Sequence, residues 1–312
     1  MSDPTAAVSA GGTPAVVSGP AWPVHGGGPA GKPRSLAGDA WRDLRRNPVF
    51  LVACFFLLLV LSMAVVPRLW TSVDPTLCEL KFAQQTSSPG HPFGYDAQGC
   101  DLYSQVIYGA RPSIIIGILV TVVAGFVAIV VGSVSGFYGG WVDGLLQRIT
   151  DIFLGFPFLL AAILFLSRIE ARNVVTVSAA LVAFGWATQT RVMRGAVMGV
   201  KNMDYVAAAR ALGASDGRLM FRHIMPNAVM SVMVLMTLTV GAIIGAEAAL
   251  TFLGVGLQFP EISWGIQLNA AQRYFFDSPH LLMYPALFLI VTVLSFILIG
   301  DAIRDAFDPK LR

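Results

Sequence analysis

Charge is what this chain has least of. Asp, Glu, Lys and Arg make up 12% of its 312 residues, against 55% hydrophobic residues and a mean hydropathy of +0.69. So few charges cannot coat a soluble globule of that length. Histidine is equally scarce: His25, His91, His223 and His280 fall in four separate segments, so they cannot gather around one metal ion. No His-Glu-x-x-His or Gly-x-Ser-x-Gly pattern occurs, and no set of facing polar groups points to catalysis. The two-residue alternation of strands is absent from the apolar runs, which argues against a barrel.

What is present is six apolar stretches, at about 49–66, 113–138, 152–167, 174–190, 228–253 and 281–300. Crossing a bilayer takes roughly 20 such residues. The expected fold is therefore an all-α, polytopic membrane protein of six transmembrane helices in a lipid bilayer. With a cytoplasmic N-terminus, only Arg68, Lys81, Arg111, Arg168, Arg172 and Arg273 of the 21 basic residues fall outside, so the positive-inside rule places both termini in the cytoplasm. The net charge of +3 then needs no nucleic-acid partner, since Arg42, Arg45 and Arg46 serve as a topology anchor beside anionic headgroups.

The organisation expected is a disordered tail at 1–38, an amphipathic segment with the first helix at 39–67 and an exported loop at 68–112. A helical core at 113–300 contains a cytoplasmic loop at 195–226, and a short tail follows at 301–312. The Gly-, Pro- and Ala-rich beginning has no apolar run, so the first span is expected to act as an uncleaved targeting segment. Residues 26–33 nearly spell a phosphate-binding P-loop, but Pro33 stands where the hydroxyl is needed and neither strand nor helix flanks it. No cofactor is expected on this chain.

Within the spans, Gly125, Ala128, Gly132, Gly136 and Gly140 repeat at three- and four-residue spacing, with Gly241 and Gly245 doing the same further on; such ridges let helices approach closely. Glu247 is the one ionisable residue clear of the span ends, and its expected role is structural, with proton coupling as the alternative. Arg148 and Asp151 share a helical face and are expected to pair. Cys54 lies in the first span, whereas Cys78 and Cys100 lie in the exported loop, where they can pair as a disulfide or remain two thiols.

The most informative segment joins the fourth and fifth spans. Asp204, Tyr205, Val206, Ala207, Ala208, Ala209, Arg210, Ala211, Leu212, Gly213, Ala214 and Ser215 run on to His223, Ile224, Met225 and Pro226. The small residues favour helix and let a partner come close, Tyr205 and Leu212 offer apolar anchors, and Gly213 suits the position just past a helix end. Lys201, Asp204 and Arg210 are expected to form a charged rim.

This loop resembles the coupling loop of ABC-importer permeases, whose signature is Glu-Ala-Ala, three residues, Gly, nine residues, then Ile-x-Leu-Pro. Ala207 stands in place of the acid, His223 in place of Ile and Met225 in place of Leu. In the exported loop, His91, Phe93, Gly94, Asp96, Gly99 and Asp101, then Tyr108, Gly109, Ala110, Arg111 and Ser113, resemble a segment of the C-type permeases of dipeptide, oligopeptide and nickel importers, with Tyr95 replacing Thr and Cys100 replacing Arg. Further blocks lie at 41–48, 250–257, 263–265 and 300–309.

The resemblance implies a type I ABC-importer permease fold in the bacterial inner membrane. It also implies three kinds of partner: a homologous permease forming a heterodimer, two cytosolic ATPase subunits or one fused ATPase chain, and an extracytoplasmic substrate-binding protein. ATP and Mg²⁺ would be bound by the ATPases. The substrate implied is a dipeptide or oligopeptide, with nickel or glutathione as alternatives within the class; a channel or secondary carrier is the alternative outside it.

Overall fold

Asn47 and Pro48 start the first spanning helix in the computed structural model, which describes residues 36–307. The Asn47 side chain accepts the N–H groups of Val49 and Phe50, and Pro48 occupies the first helical position, where its missing donor costs nothing. Helix α2 (Pro48–Val65) thus follows directly on the amphipathic α1 (Leu36–Arg46), which buries Leu44 and exposes Arg45 and Arg46. Because α1 begins at Leu36, the last residues assigned to a disordered tail are helical. Residues 1–35, with the near-P-loop, and 308–312 lie outside the described residues.

The second span begins earlier than its apolar run. Asp101 accepts the Ser104 N–H at 2.8 Å, starting α3 (Leu102–Tyr138), and Pro112 lies inside the helix, so the loop expected to be exported ends at Asp101 and not at 112. At about 1.5 Å per residue, α3 is about 55 Å long. The third expected span is two helices, α4 (Gly140–Gly155) and α5 (Phe158–Leu166), bent by 81°. Phe156 is extended because Pro157 follows it.

Helix α6 (Val174–Lys201) continues past Thr190, and α7 (Asp204–Ala211) follows a short break. The short α8 (Asp216–Arg218), a π-helical turn at Leu219–Ile224 and α9 (Met225–Phe252) form one continuous rod. After α10 (Trp264–Ala271), α11 (His280–Phe307) runs through the first part of the stretch expected as a tail.

Among the described residues four helices are long and apolar enough to cross a membrane, and the bent pair makes a fifth when counted as one span. Helix α6, the remaining expected span, has the length, but Gln189, Arg191 and Arg194 make its second half more polar. Among the described residues there are isolated β-bridges and no β-strand.

Small residues set the helix packing. A Cβ on Gly132 would come within 2.8 Å of the Thr190 carbonyl, one on Gly136 within 2.9 Å of the Arg194 carbonyl, and one on Gly241 within 2.9 Å of the Val293 carbonyl. Gly125 packs on Met236. Gly245, expected on the same ridge as Gly241, has no neighbour within 4 Å of its would-be Cβ, and Gly140 opens α4 instead of extending the ridge of α3.

Candidate functional site

Helix α7 is held at one end of the bundle by its buried face. Val206 is 1% exposed and packs in a cluster with Phe137, Val197, Leu219 and Ile224. The Tyr205 hydroxyl accepts from Asn227 Nδ2 at 3.1 Å, and Pro226 sits in the first turn of α9. The helix ends in a full Schellman arrangement: Ala214 N–H donates to Ala209 C=O, and Gly213 N–H to Arg210 C=O. Gly213 has φ +81°, the left-handed conformation this closure requires.

The opposite face is open. Leu212 is 89% exposed, Phe221 68% and Tyr205 43%, flanked by exposed Ala207, Ala208, Ala211 and Met203. Asp204, Arg210 and Ser215 are exposed as well. Lys201 does not join the rim. Its ammonium donates to the Phe137 carbonyl at 2.5 Å and lies over the Phe137 ring, which ties the end of α6 to the end of α3.

Polar contacts brace this end of the bundle. Arg194 forks onto both oxygens of Asp143 at 2.6 Å each, Ser135 donates to Asp143 at 2.5 Å, and Gln147 donates to Ser135. Planar guanidinium and carboxylate groups match in such a fork, which fixes α4 against α6. Asp151 pairs with Arg191 at 2.6 Å, across helices, and not with its helical neighbour Arg148. Sequence spacing along one helix gives no sign of a partner 40 residues away.

At the far end of α3 lies the loop expected to be exported. Cys78 and Cys100 are joined by a disulfide, and Cys54 is free. His91 Nδ1 lies 2.8 Å from Asp101 Oδ1, Thr71 and Ser104 share a hydrogen bond, and Phe93 stacks on Tyr284 with centroids 4.0 Å apart. Two hydrogen bonds from Thr76 hold the Asp74 carboxyl below its ordinary pKa.

Glu247 is fully buried among hydroxyls. Ser113 of α3 donates to its Oε2 at 3.1 Å, while Thr251 and Ser263 donate to Oε1 at 2.9 and 3.4 Å. Among the described residues, no group of three or more His, Cys, Asp or Glu side chains could hold a metal ion.

The family model described as binding-protein-dependent transport system inner membrane component matches residues 128–312, and that of the N-terminal transmembrane domain of oligopeptide transport permease C matches residues 35–89. The oligopeptide transport system permease protein of Bacillus subtilis is 38% identical over 281 residues, which cover 90% of this chain and 92% of that one. The dipeptide transport system permease protein of the same organism is 35% identical, covering 89% and 87%. The glutathione transport system permease protein of Pectobacterium atrosepticum is 34% identical, covering 88% and 91%. On these matches, spread along nearly the whole chain, the protein belongs to the family of binding-protein-dependent transport system inner membrane components.

Proposed function

We propose that this chain is one permease half of an ATP-driven peptide importer, coupled to cytosolic ATPases through α7. The observation that carries the reading is the placement of α7: a rigidly capped helix with a small-residue apolar face, at the opposite end of a helix about 55 Å long from the disulfide-bearing loop. A partner gripping Leu212 and Tyr205 would move Val206 and, through its cluster, both α6 and α9. Gly132 and Gly136 lock α6 onto α3 at backbone contact, so the displacement travels along rods. That is the physical content of alternating access in this chain.

In this reading a homologous permease completes the pathway as a heterodimer. The ATPase subunits bind ATP and Mg²⁺, and an extracytoplasmic binding protein delivers substrate to the end carrying the disulfide. The chain sits in the bacterial inner membrane with both termini cytoplasmic. Peptide is favoured because the oligopeptide and dipeptide permeases of Bacillus subtilis are similar over nearly their whole length, and the oligopeptide permease C model matches at the N-terminus.

The test is uptake of labelled di- to pentapeptides by proteoliposomes holding the chain with its permease, ATPase and binding-protein partners. ATP-dependent peptide uptake is expected. Uptake of glutathione or Ni²⁺ in place of peptide would overturn the substrate assignment, and uptake without the ATPases would overturn the class.

A further inference from the structure

After α9 the chain turns back on itself at the exported end. Residues 253–271 run out, reverse and return as α10, a short helix beside the first turns of α3. A non-helical backbone against a membrane bundle must have its polar groups met by protein. Here turn bonds meet the N–H groups of Gly254, Val255 and Gly256, Arg172 meets Gly254 and Gln258, and side chains of α10 tie it to carbonyls of α3. Trp264 Nε1 donates to the Val106 carbonyl at 2.9 Å, Gln267 Nε2 to the Gln105 carbonyl at 2.7 Å, and Arg172 to the Gly254 carbonyl at 3.0 Å.

Glu247 is where the links converge. It sits on α9, and its carboxylate collects hydroxyls from α3 (Ser113), from its own last turn (Thr251) and from the start of α10 (Ser263). Two of the three donors have their directions set by other bonds. Thr251 Oγ1 accepts the Leu257 N–H and Ser263 Oγ accepts the Ile266 N–H, which leaves each O–H for Glu247. Gly265 permits the approach, because a Cβ there would come within 2.6 Å of Thr251 Cβ. The arrangement needs two acceptor lone pairs at one oxygen and one hydrogen bond to Ser113 at the other. It does not need a charge.

We propose that Glu247 is a positioning residue for transport: by accepting hydroxyls from α3, α9 and α10 it clasps the returning segment 253–271 onto α3, and this clasp sets closure of the exported end. The proposal rests on the transport reading above, but its first readout is independent of substrate.

The experiment uses the assembled transporter in native membranes, with Cys54→Ser and the Cys78–Cys100 disulfide intact. Ala271→Cys, at a position 3% exposed in the parent chain, reports lifting of the segment through its rate of reaction with an impermeant thiol reagent. Losing hydrogen bonds to a buried carboxylate should raise that rate about tenfold in Glu247→Ala. Uptake should show a lowered maximal rate with an unchanged apparent KM. Glu247→Gln should behave as the parent in both assays, since its amide oxygen accepts from Thr251 and Ser263 and its NH₂ donates to Ser113.

Unchanged labelling in Glu247→Ala overturns the clasp. Uptake lost in Glu247→Gln while the introduced thiol at position 271 stays protected also overturns it, because transport would then need the charge or proton of Glu247. Should Glu247→Ala fail to insert, Ser113→Ala removes only the α3 link. Faster labelling there supports the clasp, and parental labelling overturns it.

Discussion

Gly213 shows how one residue can matter through its backbone alone. Beyond its chain neighbours no atom lies within 4 Å of where its Cβ would be, yet its φ of +81° closes the Schellman turn that ends α7. A β-branched side chain in that conformation costs about 1–2 kcal/mol, concentrated in a turn with little else holding it. Gly213→Val is therefore expected to leave the protein inserted and paired while separating ATP hydrolysis from uptake. Substrate-stimulated ATP hydrolysis and uptake both at parental rates would count against α7 as the coupling element. The second residue-level prediction concerns the bond between Cys78 and Cys100, separated by 22 residues. Closing a loop of that size stabilises it by about 3 kcal/mol in the chain-entropy model. Alkylation of the denatured protein without reductant should modify Cys54 alone. Modification of all three cysteines would refute the pairing in the cell.

At the scale of elements, the glycines divide by what faces them. Gly132→Val would push its Cβ against the Thr190 carbonyl, which cannot yield without separating α3 from α6. Overpacking of this kind costs about 1–3 kcal/mol or more, so a clear fall in thermal midpoint in detergent is expected. Gly245→Ala meets nothing within 4 Å and removes a helix-weakening residue, so it should leave the midpoint unchanged or raise it. Equal losses in the two variants would mean that the contacts of α3 do not decide stability. Spacing alone puts both glycines on packing ridges. It places residues on one face of a helix; it does not say whether another helix lies there.

The same limit governs the helix ends. Apolar runs locate the spans, because burial in lipid demands them, but Asp101 extends α3 beyond its run, and Pro112 is accommodated inside it. Lys201 is another case: local pattern puts this basic residue on a surface rim, and it instead meets the Phe137 carbonyl, 64 residues away. Arg191 with Asp151, and Arg194 with Asp143, are likewise pairs that no local pattern announces.

For the whole molecule, orientation is the property to test. With both termini cytoplasmic, a cysteine at Ser87, in the exported loop, should react with an impermeant reagent on intact cells, whereas one at Asp216, after α7, should not. The native cysteines are replaced first. Reaction at Asp216 alone, or at both positions, would reverse or void the topology.

By itself the sequence determined the class and the approximate spans, and it singled out residues 204–215 as the segment proposed here for coupling. These follow from composition, from apolar runs and from small residues ending in glycine, all of which are local or additive along the chain. The tertiary structure decided which glycines touch a neighbour, that the third span is broken at Phe156, and where the buried carboxylate of Glu247 goes. Those outcomes depend on residues far apart in the chain meeting across helices. Hydrogen bonds and close backbone contacts act only at a few ångströms, and which groups come that near is set by the packed bundle.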